Sequence, residues 1–516
     1  MGENVRALVV VLVLSIPVLR FLRPQLTANA TTLSDFNVRA GLWVALTLAL
    51  FLSHNFWLFV LIVAVALLTV GRKDSNPLGL YFFLLLLAPP FQSTIQGFGG
   101  INYFLAIDYL RVLSLVILLP LALSMLSDPA RARLFGLPTD KYLLAYLGLQ
   151  LVIQAPTTTT TDTMRWLVAQ FIDVYLPYYA FSRGLSDLSR LRDALASFVA
   201  GASLLAVIAL FESAKGWLLY SSLANVMDVN WGFGGYMFRN GSLRATASLG
   251  HSIIFGYVMV VALGLHLSLR SAYATTRAWK IVLVLLSAGI VASMSRGPWV
   301  GAAAVVAIAL AMSPGAGAKL GKFGVAAICI VPLVMMTPLG ARIVAVMPFI
   351  GNVDAGSVEY RQQLFNVSWN VLMMNPIFGS PYYMASESMQ QLREGGGGII
   401  DMVNSYLGIA MFSGFAGLAL FGGVFASGAA RMYFHLARHP ARGSENFSTG
   451  LALLATLVGV LVTIATVSSI DAVPVIYWCL AGACAAYLHL GTGERVALPA
   501  ELSTPDPSPV RSRGAF

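Results

Sequence analysis

Long apolar stretches recur along almost the whole chain, and they constrain its fold more than any other feature. Hydrophobic residues make up 58% of the 516 residues and charged residues only 10%, whereas an ordinary soluble domain is about 25% charged. Backbone amide groups must find partners inside a bilayer, so such a chain folds as a bundle of helices. The sequence therefore predicts an all-α polytopic membrane protein with about 12–15 transmembrane helices.

The charged residues are few and lie mostly in short loops, which excludes several classes of protein. The formal net charge is +10, but Lys and Arg beside apolar segments set membrane orientation, so nucleic acid is not an expected partner. The three cysteines, Cys329, Cys479 and Cys484, lie inside apolar segments and are interpreted as small buried hydrophobic residues. We expect neither a disulfide framework nor a bound metal.

The charge distribution divides the chain into three parts. Residues 1–39 hold an apolar helix and a linker, interpreted as an uncleaved anchor or interfacial helix of undetermined orientation. Residues 40–490 form the membrane domain, and residues 491–516, rich in Pro and Ser, predict a disordered cytoplasmic tail. Basic loops alternate with loops almost free of charge, so the basic set is assigned to the cytoplasm. Two long loops, about 214–248 and 340–402, then fall on the outer face of the membrane, where function is expected.

Six arginines lie on this outer face, although positive charge is normally retained on the inside. They are Arg239, Arg244, Arg296, Arg342, Arg361 and Arg393. The arginine fork matches phosphate oxygens, so several arginines together can form a phosphate or diphosphate site. An arginine at a membrane edge is also typical of a headgroup anchor. The anchor interpretation is favoured for Arg296 alone, and the two interpretations are balanced for Arg244.

Arg244 lies just before a predicted helix, for which Thr246 and Ser248 are candidate N-caps. A helix N-terminus that faces the outer leaflet favours an anion. His251, close to the same helix start, is a candidate substrate-binding residue, although a histidine in this position can simply cap or pack.

The second long loop contains Glu359-Tyr360-Arg361, followed by apolar residues at helical spacing from Leu364 to Met374. The pattern predicts a short interfacial helix with Arg361 at its start. Arg361 is a candidate phosphate ligand, or a partner in a weak local pair with Glu359. Glu359 and Asp401 are candidate general bases, although acidic loop residues are more often simply solvated.

These motifs, in this order, resemble the O-antigen ligase and polymerase superfamily of bacterial polysaccharide assembly, the Wzy and WaaL type. The resemblance rests on an arginine before a span, a Ser-Arg-Gly turn, a Tyr-Arg pair with a helix ending in Asn-Pro-Ile-Phe-Gly, and Val-Asn-Ser-Tyr-Leu before Gly-Phe-Ala-Gly. In this chain the motifs are Arg244, 295–297, 360–379 and 403–417, and together they cover about 240–420.

The resemblance implies a GT-C-like, metal-independent glycosyltransferase of the bacterial inner membrane, with no cofactor and with its active site facing the periplasm. Its implied donor is an undecaprenyl-diphosphate-linked glycan. Arg244 and Arg361 match the arginines that bind the lipid diphosphate and serve catalysis, Arg296 is a further diphosphate ligand, and Asn404 is a candidate substrate-binding residue. The implied partners are the lipid bilayer and the flippase and chain-length regulator of the same pathway.

One departure from the family pattern bears on the acceptor. Ligases carry His-Asn-x-x-Leu before the Gly-x-x-Gly helix, whereas here Val403 precedes Asn404 and the stretch contains no histidine. This favours polymerisation of repeat units into O-antigen or exopolysaccharide and leaves the general base unassigned. The alternatives are an O-antigen ligase and a polysaccharide transporter or flippase. A transporter is expected to carry charged residues at mid-span and internal repeats, of which the sequence shows little.

Overall fold

The structure, a computed structural model, is built almost entirely from helices. It describes residues 2–99, 101–127, 136–229, 231–232, 234–239, 241–337, 355–393, 400, 402–439 and 441–491. The helices of the first half are α1 (Glu3–Leu26), α2 (Leu33–Leu52), α3 (Phe56–Thr69), α4 (Pro77–Leu84), α5 (Tyr109–Leu126), α6 (Pro138–Gln154), α7 (Thr160–Gln170), α8 (Leu176–Gly184) and α9 (Leu188–Lys215). Those of the second half are α10 (Ser252–His266), α11 (Thr276–Ala292), α12 (Arg296–Met312), α13 (Ala316–Met335), α14 (Ala355–Met374), α15 (Ser405–Ala437), α16 (Glu445–Ile464) and α17 (Ala472–Gly491). Two small antiparallel hairpins pair β1 (Ser93–Gln96) with β2 (Tyr103–Ile107), and β3 (Phe238–Arg239) with β4 (Ser242–Leu243).

These elements confirm the predicted all-α polytopic membrane protein. Within the described ranges, eight helices are long and apolar enough to cross a membrane: α1, α2, α3 with its extension to Lys73, α5, α9, α15, α16 and α17. Two shorter apolar helices, α10 and α12, accompany them. Cys479 and Cys484 are buried as predicted, whereas Cys329 is exposed, contrary to its interpretation as a buried residue. The predicted tail, 491–516, lies outside the described residues beyond Gly491.

One end of the bundle, named the basic face, gathers the basic connections. There Arg39, only 1% exposed, lies between Asp74 and Asp193, with guanidinium nitrogens 2.7 Å from an oxygen of each carboxylate. Arg192 pairs with Glu445 on the same face at 2.5 Å. Removing one partner of a buried ion pair costs about 3–5 kcal/mol. The Arg39 network therefore holds α2, α9 and the connection after α3 together.

The opposite end, named the loop face, holds the first long loop and the N-terminus. Asn4 Oδ1 accepts a hydrogen bond from Ser222 Oγ of that loop at 2.5 Å. At the other end of α1, the Gln25 carbonyl accepts the N–H of Ala274 at 2.9 Å, beside the basic connection that follows α10. α1 therefore runs from the loop face to the basic face, an orientation that sequence reasoning left undetermined.

The apolar run 78–91 is helical only as far as Leu84, because the Pro-Pro pair at 89–90 stops the helix from continuing. The chain that follows is irregular and buried. Ser248, from the first long loop, donates its hydroxyl hydrogen to the Leu86 carbonyl at 2.5 Å. Irregular backbone at membrane depth is tolerated where protein surrounds it and satisfies its polar groups. The same bond fixes the end of the first long loop to the core.

The helix of the second long loop is longer than predicted. α14 begins at Ala355, nine residues before Leu364, so Arg361 lies in its second turn and not at its start. The apolar stripe does begin at Leu364, which is buried together with Val371 against the start of α15. The earlier turns contain good helix formers such as Glu and Gln without apolar periodicity, so the apolar pattern could not mark where the helix begins.

Candidate functional site

A β-hairpin and a tight turn meet on the loop face. The turn, 293–295, joins α11 to α12, and the hairpin β3–β4 presents two arginines to it. Arg239 Nη1 donates to the Met294 carbonyl at 2.7 Å. Arg244 Nη2 donates to Ser295 Oγ at 2.9 Å. The structure thus brings Arg244 to the Ser-Arg-Gly turn, together with Arg239, which sequence reasoning had not singled out as a site residue.

The turn itself is held by its own serines. Ser293 Oγ accepts the Ser295 N–H at 3.3 Å, and Ser295 Oγ donates to the Ser293 carbonyl at 2.9 Å. Met294 between them has a φ of +48°, a conformation that costs a residue other than glycine about 1–3 kcal/mol. Arg296 follows as the first residue of α12, whose N-terminus carries partial positive charge.

The arginine cluster is defined as Arg239, Arg244 and Arg296.

A buried carboxylate fixes both ends of the first long loop. Glu212, 0% exposed near the end of α9, accepts the backbone N–H groups of Leu219 at 3.0 Å, Thr246 at 3.1 Å and Ala247 at 2.8 Å. Ala247 has a φ of +48°, so these bonds hold a strained backbone next to Arg244. Glu212 was missed from the sequence, where the available signal was a single acid in an otherwise apolar stretch.

His251 is the N-cap of α10. Its Nδ1 accepts the Ile253 N–H at 3.2 Å, so neither Thr246 nor Ser248, the predicted caps, has this role. The helix begins later than expected because Ser248 bonds into the core instead. Burial, together with the neighbouring charge of Arg244, lowers the pKa of His251 to about 4. The imidazole is therefore neutral at neutral pH and adds no charge to the arginine cluster.

An apolar groove of about 460 Å³ lies between α10, α11 and α12, and its lining includes residues from the last turn of α11 and the first turn of α12, on either side of the turn 293–295. Its lining includes Leu263, Ile290, Val291, Trp299, Ala302 and Val306. Trp299 Nε1 donates to the Ile290 carbonyl at 3.2 Å across the end of the groove nearest the turn. The arginine cluster and the apolar groove therefore both adjoin the turn 293–295, a combination that fits an amphiphile with an anionic head.

The second long loop is fastened into a break in α15. Gly414 interrupts this helix with a φ of +66° and a ψ of −170°, and the segment 376–380 fills the gap. The Phe415 N–H, freed by the break, donates to the Pro376 carbonyl at 2.8 Å. A Cβ at Gly414 would lie 2.1 Å from the Ile377 carbonyl oxygen. The Asn-Pro-Ile-Phe-Gly and Gly-Phe-Ala-Gly motifs thus form one structural joint that only glycine permits.

Arg361 and Glu359 lie on α14, an element separate from the hairpin and turn that form the arginine cluster. Both side chains are exposed. Glu359 accepts a hydrogen bond from Gln363 Nε2 at 3.4 Å, one helical turn further on. α14 packs against α15, so the joint between the second loop and α15 determines where these two residues are held.

Asn404 caps α15, and its Oδ1 accepts the N–H groups of Tyr406 at 3.0 Å and Leu407 at 3.2 Å. This accounts structurally for the asparagine in the Val-Asn-Ser-Tyr-Leu stretch, while its role toward substrate remains a prediction. Two further predicted positions, Asp401 and Arg342, lie outside the described residues.

Comparison with known proteins adds a finding on the second half of the chain. Residues 281–422 match the family model described as O-Antigen ligase. No curated protein matches the chain. The matched region contains the Ser-Arg-Gly turn, α14 and the joint with α15, whereas the hairpin with Arg239 and Arg244 precedes it. The match at residues 281–422 supports the similarity of this multi-pass membrane protein to the O-antigen ligase and polymerase superfamily, whose general activity is glycosyl transfer.

Proposed function

We propose that this protein polymerises undecaprenyl-diphosphate-linked oligosaccharide repeat units into O-antigen or exopolysaccharide in the bacterial inner membrane. The observation that carries the proposal is the arginine cluster at the end of the apolar groove. A polyprenyl diphosphate is anionic at its head and apolar along its tail, so the two parts match the cluster and the groove. The proposal places the loop face in the periplasm, since the basic connections are retained in the cytoplasm.

The arginine cluster would bind the diphosphate and stabilise its departure. Guanidinium forks match phosphate oxygens in pairs, so arginines can hold this charge without a metal ion. Two of the three arginines are already tied to the turn 293–295, and donors that are fixed before the reaction need little reorganisation as charge develops. An acceptor hydroxyl then attacks the anomeric carbon opposite the leaving diphosphate, which inverts that carbon.

The second long loop would close over the donor sugar. α14 carries Arg361 as a further ligand for the diphosphate. The joint at 376–380 attaches the end of this helix to α15, so α14 can pivot about that point. The absence of a histidine before Asn404 supports polymerisation over ligation, because the ligase pattern carries one there.

The test is a lipid-linked glycan assay in the host. The gene is deleted, and polyprenyl-linked glycans and surface polysaccharide are separated by size after complementation with wild type, Arg244→Lys or Arg270→Lys. Arg270 is exposed on the basic face and serves as the matched control. We expect single repeats to accumulate in the deletion strain and with Arg244→Lys, because lysine lacks the fork. Wild type and Arg270→Lys should restore polymer.

Other outcomes would replace the proposal. Polymer of normal length that remains on its lipid carrier would make the protein a ligase, and glycans confined to the cytoplasmic face would make it a transporter. Independence from metal is checked with purified protein, whose transfer activity should persist in the presence of a chelator.

A further inference from the structure

A polar cavity of about 310 Å³ lies on the loop face, between the starts of α5 and α17. Its lining includes Asp108, Arg111, Tyr146, Asp173, Asp471 and Tyr477. It is separate from the arginine cluster and the apolar groove, with which it shares none of these residues. The volume corresponds to that of a small-molecule site.

Two carboxylates share one guanidinium group in this cavity, and a third carboxylate, that of Asp471, also lines it. Arg111 Nη2 lies 2.6 Å from Asp173 Oδ2, and Arg111 Nε lies 3.9 Å from Asp108 Oδ2. Asp108 is only 7% exposed and also accepts the Arg111 N–H at 2.8 Å. Asp471 differs from both, because its Oδ2 atom is buried and meets no hydrogen-bond donor within the part of the chain that the structure describes. A buried carboxylate oxygen without a donor is costly unless a bound molecule supplies one.

The surroundings of Asp471 also suit it to exchange a proton. Burial, with the nearby charge of Asp108, raises the pKa of Asp471 to about 7. Burial likewise raises the pKa of Asp108 to about 6 in spite of Arg111. The titratable groups that line the cavity with Asp471 are Asp108 and Arg111 from the start of α5, Tyr146 from α6, Asp173 from the π-helical segment that joins α7 to α8, and Tyr477 from α17. A general base acts best when its pKa lies near the working pH.

A short segment, 465–471, connects this cavity to the donor side. At one end, Thr466 lies against the start of α12, where a Cβ on Gly297 would come 1.9 Å from Thr466 Oγ1. In the middle, the Val467 carbonyl accepts the Ser405 hydroxyl at 2.6 Å. The other end is Asp471. Five residues span at most about 18 Å, so Asp471 lies no further than that from Thr466, which contacts the start of α12.

We infer that this acidic cavity binds the acceptor sugar and that Asp471 accepts the proton of its attacking hydroxyl, an inference that rests on the proposed transferase function. The acceptor oxygen forms a bond to the anomeric carbon, the bond from that carbon to the phosphate oxygen breaks, and the diphosphate leaves with the electron pair. The hydroxyl proton passes to the Asp471 carboxylate. Of the bases predicted from sequence, Glu359 is exposed on α14 and Asp401 lies outside the described residues, whereas Asp471 is held in a cavity.

The lining suits a sugar in chemical terms. Hydroxyl groups donate to carboxylates, and the Asp108–Arg111–Asp173 group offers both acceptors and donors. Trp478 also lines the cavity and provides an apolar surface for a sugar ring. The arginine cluster and the acidic cavity therefore divide the reaction between a cationic donor site and an anionic acceptor site.

The test compares Asp471→Asn with wild type in a purified transfer assay, using lipid-linked single repeats extracted from the deletion strain. Asp471 has a φ of +51°, a conformation that asparagine adopts as readily as aspartate, so the backbone is preserved. We expect turnover to fall by at least about 100-fold, while affinity for undecaprenyl diphosphate changes less than about threefold because the donor site is intact. The wild-type rate should fall as the pH drops below about 7, since the base must be deprotonated. The residual rate of the variant should lack this step.

The matched control is Asp162→Asn. Asp162 lies on the same face with its side chain 46% exposed, so this variant should behave like wild type. The inference is overturned if Asp471→Asn keeps its turnover and pH profile, or if it loses donor affinity and thermal stability together with activity, which would indicate a structural role. If the proposed transferase function itself is wrong, the result is distinguishable from a failure of the inference about Asp471. Wild-type protein and Arg244→Lys would then be equally inactive toward the lipid-linked donor.

Discussion

Replacing Glu212 with glutamine tests whether one buried carboxylate holds the arginine cluster in place. The carboxylate accepts three backbone N–H groups at distances from 2.8 to 3.1 Å. A glutamine side chain has one acceptor oxygen, so at best it keeps the two bonds to Thr246 and Ala247 and turns its NH₂ group toward the N–H of Leu219. One backbone donor and the new amide group are then buried without partners, at about 1–3 kcal/mol each.

We therefore expect Glu212→Gln to lower the free energy of unfolding by about 2–6 kcal/mol. The left-handed backbone at Ala247 stores a further 1–3 kcal/mol or so of strain that favours relaxation of the loop. Because Arg244 lies three residues earlier, relaxation separates it from Ser295. Losing about 1.4 kcal/mol of transition-state stabilisation slows a reaction about tenfold. Because Arg244 is displaced in the variant, its transfer activity should fall by at least about tenfold.

The measurement pairs thermal unfolding in detergent with the transfer assay, and uses Glu387→Gln as the control. Glu387 is an exposed carboxylate in the second long loop, so the same chemical change there should alter stability by less than about 0.5 kcal/mol. If Glu212→Gln were as stable and as active as Glu387→Gln, the carboxylate would not be what holds the loop, and the reasoning would fail.

Two further predictions test other parts of the site. Gly414→Ala places a Cβ 2.1 Å from the Ile377 carbonyl oxygen and should destabilise the protein by at least about 3 kcal/mol, as measured by thermal unfolding. Gly422→Ala is the control in the same helix: its Cβ would meet no atom of the described residues within 4 Å, so it should stabilise the protein by up to about 1 kcal/mol. The pKa of His251 falls from 6.5 to about 4 on folding, so the unfolded state binds more protons than the folded state between these pH values. The free energy of unfolding should therefore drop by about 2 kcal/mol from pH 7 to pH 5. His251→Asn keeps an N-cap and should lose this part of the pH dependence; equal pH dependence in both proteins would contradict the assignment.

The membrane architecture could be predicted because a bilayer demands long apolar runs, and those runs are visible in the sequence. The same signal predicted two long loops and placed the unusual arginines on one face of the membrane. It could not mark the start of α14, whose first turns lack an apolar stripe, nor the orientation of α1, which depends on contacts such as Asn4 with Ser222.

The assembly of the candidate site could be predicted only in part. Arg244 and Arg296 were recognised as separate outer-face residues, but the bond from Arg239 to Met294 joins positions 55 apart in the chain. That bond depends on a left-handed backbone at Met294 and on an acceptor that is a carbonyl group, so no local pattern of residue types signals it. Asp471 likewise carries no motif, and what distinguishes it is a buried Oδ2 atom that has no hydrogen-bond donor among the described residues.

The segment 465–471 has a consequence for how relatives of this protein can diverge. Each added or removed residue changes the reach of an extended chain by about 3.3 Å, which is as large as the separation between atoms that are about to react. Substitutions in this segment can be absorbed by small shifts of side chains, but an insertion or deletion between Thr466 and Asp471 would displace the proposed acceptor site relative to the proposed donor site. Chains that have exchanged one sugar for another should therefore differ in the residues of this segment and agree in its length.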